Sequence, residues 1–497
     1  MKLTKLYNEL TNKHTNRESS INKHYKEKAE QGQINTDHQN FRVNESLKSN
    51  RFLGELNQNF EVSNNTQSNM SLENIKIIGV TGSKGKSTVA YLTHKYLEHI
   101  GKKSVLYSSI EIDSKASNKA SKQACETSIT NESIILDILE EASVYQAEYV
   151  VLEINESAIA QGLIKDIPFS IRALTNIEKS NSEEFMDSKI YVENKKSFFR
   201  NIPTEDRCVS IFGLTGSFTR DDFNELLSLS DNEIITYGSK YICENRNADY
   251  TNIDFLLKTN SDKKLETLDG LRFSIKIRNS KEIHVETGIM GTFNALNITL
   301  VAAILDALGI LKTVEFSDFL QGVNIPGRNE VIKTNNRTIV IGVSLAPTLE
   351  GFKKLKEFNE IDMLKVVIGS SGSGFKYWDD KFQSSRRIGL LATHREFAMN
   401  YVSNNADYAY LTSSDPAASN PTDIANEMNS YVDNRIPTQI IVDRKIAIKQ
   451  AILDSNPGDL IFIAGRGNRQ YYCKSGTDFD LFTDLEVVEA VIKDLGW

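Results

Sequence analysis

The sequence lacks the features that mark several classes of protein. Its 497 residues include only four cysteines, and none forms a Cys-x-x-Cys pair. This argues against a zinc site or a redox dithiol and favours free thiols in a reducing compartment. The N-terminus, MKLTKLYNELTNKHTN, has no apolar signal core, and the longest apolar stretch is interrupted by Asn297 and Asp306. We therefore expect a cytoplasmic protein without membrane insertion.

Positive charge is also in short supply. The chain has 58 Lys and Arg against 66 Asp and Glu, a net charge of -8. This charge repels phosphate backbones, so we do not expect nucleic acid as a partner. Hydrophobic residues make up 40% of the chain and charged residues 25%, which is typical of a globular protein.

The chain divides into three parts by composition and pattern. Residues 1–72 contain 19 hydrophobic residues and 13 Asn, which predicts a short, polar, partly helical N-terminal segment. From Ile75 the apolar runs IKIIGV, SVLYSS, YVVLEIN and IRALTNI alternate with helical patterns, as in a parallel α/β sheet. The runs CVSIFG, EIITYG, LRFSIKI and IHVETGI favour antiparallel additions to that sheet. The α/β alternation restarts after IPGRNEV, so we predict a central domain over 73–327 and a Rossmann-like α/β domain over 328–497.

The strongest motif is the glycine-rich run GVTGSKGKST, residues 79–88, between the strand IKIIGV and a helix predicted from about Ser87 to Ile100. Backbone N–H groups at such a helix start bind phosphate, a lysine reaches the outer phosphates and a hydroxyl binds Mg²⁺. The spacing is one residue longer than GxxxxGK[ST], and the alternative is a glycine-rich turn without nucleotide. The strand before it and the helix after it favour a P-loop-type ATPase domain. The predicted nucleotide contacts are Gly82, Ser83, Lys84, Gly85, Lys86, Ser87 and Thr88.

From this loop onward the sequence resembles the Mur ligases, the ATP-dependent amino-acid-adding enzymes of peptidoglycan synthesis. VLEINESAIAQG is similar to the family's Glu-Val-Ser-Ser-His segment, LTNI to its Thr-Asn-Leu and YVENKKSFF to the helix with a carbamylated lysine. GTFNALNITL resembles the Gly-x-Phe-Asn-x-x-Asn helix, and IPGRNEVI the Gly-Arg-Met-Glu entry to the last domain. TSSDPAASNPTDI, DRKIAIKQAI and IAGRGNRQYY are most similar to the MurE type, which adds the third peptide residue. These ordered motifs cover about 420 residues.

The resemblance implies an ATP- and Mg²⁺-dependent ligase that phosphorylates a carboxylate and lets an amine displace phosphate from the acyl phosphate. It implies that Glu153 and Ser87 bind Mg²⁺, and that Lys195 is the carbamylated lysine near a second magnesium, with Lys196 as the alternative. The positions that match the family near the nucleotide are Asn176, Asn294, Asn297 and Arg328. Lys86, Lys195 and Arg328 are the implied catalytic residues. The competing interpretations are that Glu153 is an ordinary strand-end carboxylate and Lys195 a solvated helix lysine. The asparagines would then be structural helix caps and Arg328 a surface arginine.

Several family signatures are missing. Ser157 replaces the metal-associated histidine, the run SNSE replaces Asp-His-x-Asp, and GVSLAP replaces Asp-Tyr-Ala-His-Thr-Pro. The Asp-Asn-Pro-Arg motif that meets diaminopimelate reads Ser-Asp-Pro-Ala at 414–417, so its arginine is absent and we do not expect diaminopimelate as the amino acid added. Arg466 and its neighbours make the region that would meet the incoming amine more basic than in the family. The predicted substrate contacts are Ser414, Asp415 and Arg466.

The substrate assignment is the open part of the prediction. The Asp-Ser-Arg segment of the family's uridine-diphosphate-binding domain has no counterpart in residues 1–72. We predict an ADP-forming acid–amino-acid ligase that acts, as a monomer, on a carboxylate acceptor and an amino acid. The alternatives are a peptide ligase of a non-peptidoglycan pathway, a nucleotide-binding relative with little ligase activity, and an enzyme like folylpolyglutamate synthase.

Overall fold

The computed structural model describes most of the chain after residue 73 and one short helix before it. The described residues are 3–11, 74–113, 129–178, 188–200, 207–215, 219–230, 232–245, 252–259, 265–278, 281–372, 384–416, 418–432, 434–475 and 478–497. Most of the predicted N-terminal segment, the SNSE run and Ala417 lie outside these residues.

The described chain forms strands in two large sheets and one hairpin. The strands are β1 (Lys76–Thr81), β2 (Ser104–Tyr107), β3 (Ile112–Asp113), β4 (Tyr149–Glu153), β5 (Ile171–Leu174), β6 (Val209–Leu214), β7 (Ile234–Ser239), β8 (Phe255–Lys258), β9 (Glu266–Thr267), β10 (Gly270–Ile277), β11 (Lys281–Thr287), β12 (Glu330–Thr334), β13 (Arg337–Gly342), β14 (Leu364–Ser370), β15 (Tyr408–Ser413), β16 (Thr438–Ile440), β17 (Leu460–Ala464), β18 (Tyr471–Ser475) and β19 (Asp478–Leu481).

Helices connect and cover these strands. They are α1 (3–11), α2 (Lys86–His99), α3 (Glu132–Val144), α4 (Glu156–Ala160), α5 (Ser188–Ser197), α6 (Arg220–Leu227), α7 (Lys240–Asn245), α8 (Phe293–Ala307), α9 (Thr313–Gly322), α10 (Ala346–Glu357), α11 (Ser384–Asn405), α12 (Pro421–Val432), α13 (Arg444–Leu453) and α14 (Asp484–Leu495). Among the described residues, no helix has both the length and the apolar character needed to cross a membrane.

The first sheet has the order β11-β10-β8-β7-β6-β5-β1-β4-β2-β3, with β9 beside β10. Adjacent strands in the part β8-β7-β6-β5-β1-β4-β2 run parallel. Strands β3, β9, β10 and β11 pair antiparallel with their neighbours. This confirms the predicted α/β class with a parallel sheet and antiparallel additions. The prediction was wrong for CVSIFG and EIITYG, because β6 and β7 belong to the parallel part. The short helix α6 connects them and provides the crossover that a parallel pair requires.

The second sheet has the order β12-β13-β17-β14-β15-β16, and only its edge pair β12–β13 is antiparallel. The inner strands β13 and β17 are buried along their whole length, as expected for strands with helices on both faces. One core cluster includes side chains of α10 and α11, and another includes side chains of α13 and α14.

Helix α1 packs on the first sheet. Leu3, Leu6 and Leu10 are buried and belong to the same core cluster as Ile77 of β1 and Ile138 of α3. The spacing of the three leucines places them on one helical face. The first sheet and α3 therefore hold this helix, although residues 12–73 separate it from β1.

The position of β1 determines where the candidate site lies. β1 lies between β4 and β5, and all three are parallel. The carboxyl ends of these strands therefore open into one crevice, the usual ligand position in such sheets. The loop after β17 of the second sheet reaches the first sheet near this crevice, since the Asn468 amide donates to the Ile110 carbonyl at 2.7 Å.

Candidate active site

The glycine-rich loop has a conformation that side chains at two positions would not allow. Gly82 and Gly85 have φ values of 145° and 86°. A Cβ at Gly82 would lie 1.9 Å from Thr175 Oγ1, and one at Gly85 would lie 2.4 Å from Asn297 Oδ1. Both glycines are therefore needed where the loop passes its neighbours. Gly85 precedes the first residue of α2, so the loop leads directly into a helix N-terminus.

Asn176 fixes the shape of this loop. Its side chain accepts a hydrogen bond from the Lys84 N–H at 3.0 Å and donates to the Lys84 carbonyl at 2.9 Å. Its own carbonyl accepts from the Ser83 N–H at 2.9 Å. Asn176 thus acts on the loop backbone from the end of β5, and its amide is already engaged there.

Lys86 is folded back over the loop. Its Nζ donates to the Gly82 carbonyl at 2.9 Å and to the Ser83 carbonyl at 3.4 Å. The ammonium therefore lies beside the backbone that forms the phosphate-binding turn. Lysine is a compact point charge on a flexible stem, so it can exchange such carbonyl contacts for phosphate oxygens.

Ser87, Glu153 and Ser109 form a hydrogen-bonded cluster at the tips of three elements. Ser87 Oγ donates to Glu153 Oε1 at 3.0 Å and lies 2.7 Å from Ser109 Oγ, while the Ser109 N–H donates to Glu153 Oε2 at 2.8 Å. Arg328, from the connection to the second sheet, donates from Nη2 to Ser109 Oγ at 3.2 Å. Burial lowers the pKa of the Arg328 guanidinium, whereas the Glu153 carboxylate acts in the opposite direction.

Ser109 was missed in the sequence-based prediction. It comes two residues after β2, and β2 pairs parallel with β4, whose last residue is Glu153. Side chains just after parallel strands lie at the ligand-binding edge of such a sheet, so the run SVLYSS carried a signal for Ser109.

The oxygen donors of this cluster suit Mg²⁺. The ion prefers oxygen ligands and is usually bound by one or two carboxylates together with substrate phosphates. Glu153 supplies a carboxylate and Ser87 a hydroxyl at the phosphate-binding helix start. These two residues fit the metal that the sequence implied.

Lys195 places a buried nitrogen, and not an oxygen, beside the glycine-rich loop. Its side chain is 0% exposed, and its Nζ contacts the Glu156 carboxylate and donates to the Gly82 carbonyl at 2.9 Å. The same nitrogen lies 4.6 Å from the centre of the Tyr191 ring. Burial, followed by the nearby Lys86 ammonium, lowers the pKa of the Lys195 amine well below its usual value. Lys196 instead pairs with Glu225 at 2.7 Å, so Lys195 is the lysine of this pair that contacts the loop.

A cleft of about 290 Å³ opens beside the loop. The predicted residues that line it are Ser83, Lys84, Gly85, Lys86, Ser87, Thr88, Asn176, Asn297 and Arg328. Val343, Ser344 and Pro347 of the divergent GVSLAP segment also line it. Asn294 lies deeper, where its amide donates to the Met290 carbonyl at 2.7 Å and its Oδ1 accepts from Asn297 at 2.9 Å.

The predicted substrate residues lie in the second domain and not on this cleft. Among the described residues that line the cleft, Ser414, Asp415 and Arg466 do not occur. Arg466 is buried, and its Nη1 donates to Asp415 Oδ1 at 2.9 Å. Tyr472 and Phe482 lie within 4.9 and 5.4 Å of its guanidinium. Asp415 thus offsets the positive charge that the sequence predicted for this loop.

Two family models match the chain on both sides of the domain junction. The model of the Mur ligase middle domain matches residues 80–305, and the model of the Mur ligase glutamate ligase domain matches residues 327–467. The chain belongs to the Mur ligase family. As a Mur ligase it is an ATP-dependent, ADP-forming enzyme that makes amide bonds, which confirms the family and enzyme class expected from the sequence.

The relatives of this Mur ligase include enzymes of the MurE type. It is 25% identical over 428 residues to a UDP-N-acetylmuramoyl-L-alanyl-D-glutamate–2,6-diaminopimelate ligase from Caldanaerobacter subterraneus, covering 84% of this chain and 78% of the relative. It is 28% identical over 434 residues to a UDP-N-acetylmuramyl-tripeptide synthetase from Ligilactobacillus salivarius, covering 84% and 79%. A solved diaminopimelate ligase structure shares the fold, with a TM-score of 0.55, 19% identity and coverage of 86% and 80%.

Proposed function

We propose that this Mur ligase adds an amino acid to a UDP-muramoyl peptide, and that it uses Mg²⁺ with ATP. The observation that carries this proposal is the cluster of Ser87, Glu153 and Ser109 at the end of the glycine-rich loop, joined to Arg328. The names of the relatives support the acceptor, since both act on UDP-N-acetylmuramoyl peptides.

The residues around the loop divide the work of phosphoryl transfer. The backbone N–H groups at the start of α2 bind the phosphates, and Lys86 moves from the Gly82 and Ser83 carbonyls to the phosphate oxygens. Glu153 and Ser87 hold the Mg²⁺, which neutralises phosphate charge when bound. Arg328 offers a planar fork to the transferring group and is held in place by Ser109.

We further propose that the amino acid is not diaminopimelate. Ala417 stands in the sequence at the position of the family's motif arginine, and Arg466 is buried and paired with Asp415. A second carboxylate on the incoming amino acid therefore lacks the charged partner that the motif supplies. Ser414 and Asp415, the other two predicted contacts, are also buried in this region.

Phosphate release on a panel of acceptors and amino acids tests the function. The purified protein is incubated with ATP, Mg²⁺, a UDP-muramoyl dipeptide and single amino acids, and product mass is measured. We expect amino-acid-dependent phosphate release and a product heavier by one residue, with little turnover of diaminopimelate. Release without any acceptor peptide, or with amino acids alone, would contradict the proposed acceptor.

The variant Lys86→Ala is the control for the loop. Losing the phosphate-binding charge should lower phosphate release by about 100-fold or more. Lys102→Ala is the matched control, because Lys102 lies beyond the far end of α2 and pairs with Glu148 at 2.7 Å on the exposed surface. Equal activity of the Lys86→Ala protein and the wild type would refute the assignment of the loop.

A further inference from the structure

Glu156 occupies a position that distinguishes this chain from the family segment it resembles. In VLEINESAIAQG, Glu153 aligns with the glutamate of Glu-Val-Ser-Ser-His, which places Glu156 at the second serine. Glu156 is the first residue of α4, and its carboxylate contacts Lys195 Nζ. The side chains are 12% and 0% exposed, respectively, so this contact is made away from bulk water.

The other groups around Lys195 Nζ are also suited to a nitrogen with protons to donate. The Gly82 carbonyl accepts from it at 2.9 Å, and the Tyr191 ring lies at 4.6 Å. A carboxylate, a carbonyl oxygen and an aromatic ring all attract a donor or a cation.

A carbamate on Lys195 does not fit these surroundings. It would place a second carboxylate against that of Glu156, and its oxygens could only accept hydrogen bonds where Glu156 and Gly82 also only accept. Two anions in contact at a buried site disfavour each other strongly. The nearby Lys86 ammonium donates to the Gly82 and Ser83 carbonyls.

We propose that Lys195 remains unmodified in this chain and that the Glu156 carboxylate takes the place a lysine carbamate would fill. This rests on the proposed function, because it concerns the same phosphate site. Glu156 is then a positioning residue: it holds the Lys195 amine against the Gly82 carbonyl, the same carbonyl that accepts from Lys86.

Carbon-13 NMR after equilibration with ¹³C-bicarbonate tests the proposal without any turnover. Carbamylation joins the neutral amine to CO₂, forming one N–C bond and releasing one proton. We expect no carbamate resonance in the wild-type protein. We expect one in Glu156→Ser, which restores the family residue, and its loss in the double variant Glu156→Ser, Lys195→Arg.

Three outcomes would overturn the proposal. The first is a carbamate resonance in the wild type that disappears in Lys195→Arg. The second is no resonance in either the wild type or Glu156→Ser, because Glu156 would then not be the group that excludes the carbamate. The third is a resonance in the control Glu193→Ser, since Glu193 lies on the same helix as Lys195 but pairs with Arg200 at 2.8 Å.

A second variant and a binding measurement keep the result interpretable. Glu156→Gln retains the size of the side chain and removes its charge, so it replaces Glu156→Ser if circular dichroism shows that the serine variant does not fold. Calorimetric titration of the wild type with ADP and Mg²⁺ tests the proposed function separately. Absence of nucleotide binding would refute that function while leaving the carbamate result valid.

Discussion

The carbonyl of Gly82 is the point at which two lysines meet in this site. Lys86 and Lys195 come from different helices, and each donates to it at 2.9 Å. Glu156 is the carboxylate in contact with Lys195, so the Gly82 carbonyl lies beside two lysine nitrogens, one of which also contacts a carboxylate. Phosphate binding therefore changes a balance of charges that exists in the folded protein beforehand.

Removal of the Ser109 hydroxyl tests the link between the cluster and Arg328. In Ser109→Ala, Arg328 loses its acceptor at 3.2 Å and Ser87 loses a partner at 2.7 Å. One hydrogen bond contributes about 0.5–1.5 kcal/mol, so kcat/KM for ATP should fall by about 2- to 13-fold. Steady-state phosphate release measures this change.

Ser228→Ala is the matched control, because that hydroxyl donates to the Glu225 carbonyl on the exposed surface. The two variants having the same kcat/KM would show that Ser109 does not orient Arg328.

Residue types and spacing were enough to predict the glycine-rich loop, whereas Glu153 and Asn176 came from the resemblance to the Mur ligases. All three follow strands whose apolar runs are plain in the sequence. The pairing of Asp415 with Arg466 could not, because it joins loops 51 residues apart through buried contacts. The contact between Glu156 and Lys195 likewise depends on how α4 and α5 pack.

At the scale of elements, helix α1 shows how a short polar segment can carry a buried face. Its three leucines join the core cluster between the sheet and α3, whereas Lys5 and Glu9 are exposed on its other side. Three leucines in a polar, Asn-rich context gave a weak signal, so the sequence predicted a partly helical segment but did not show which residues would face the sheet. The short helices α6 and α7 were missed for a related reason, since two turns of helix give little periodicity.

Leu6→Ala tests the docking of α1. Leu6 is 7% exposed, and large-to-small changes of this kind cost about 2 kcal/mol or more in free energy of unfolding. Urea denaturation followed by circular dichroism should show this loss.

Lys5→Ala, on the same helix with a side chain that is 79% exposed, should change the unfolding midpoint little. If Leu6→Ala were as stable as Lys5→Ala, α1 would not contribute to the folded core.

Tyr7 links the same helix to α3 in a way that depends on pH. Its hydroxyl donates to Glu140 Oε1 at 2.8 Å, and burial, followed by that hydrogen bond, raises the pKa of Tyr7 from 10.0 to about 12. Because the folded pKa is the higher one, this contribution is complete below pH 10 and is lost as the pH rises from 10 to about 12. The stability difference between the wild type and Tyr7→Phe should therefore shrink over that interval, as measured by urea unfolding at several pH values. A constant difference would mean that the hydroxyl is not linked to folding.

At the scale of the whole molecule, two hydrogen bonds connect the turn after β2 of the first sheet with residues beside the strands of the second sheet. Arg328 reaches Ser109, and Asn468 reaches the Ile110 carbonyl at 2.7 Å. Both acceptors belong to the same turn after β2. The crevice at the phosphate loop is therefore bordered from the side of the second sheet, and this partial closure suits an enzyme that protects an acyl phosphate from water.

Asn468→Ala should loosen this closure. Loss of its hydrogen bond to Ile110 favours open arrangements, so the radius of gyration from small-angle scattering should rise and kcat should fall by about 10-fold or less. Asn456→Ala, at an exposed position in the same domain, should change neither. An unchanged scattering curve for Asn468→Ala would show that this contact does not hold the domains together.

The docking of α1 has a consequence for the path of the chain. Residue 11 ends a helix that packs on the first sheet, and Lys76 begins β1, an inner strand of that sheet, so the chain leaves and re-enters the same domain on either side of residues 12–73. A peptide bond cut anywhere inside that span leaves two pieces that share a buried apolar interface. After such a cut, only that interface joins the two pieces, so the fraction of the smaller piece that stays bound measures its strength directly.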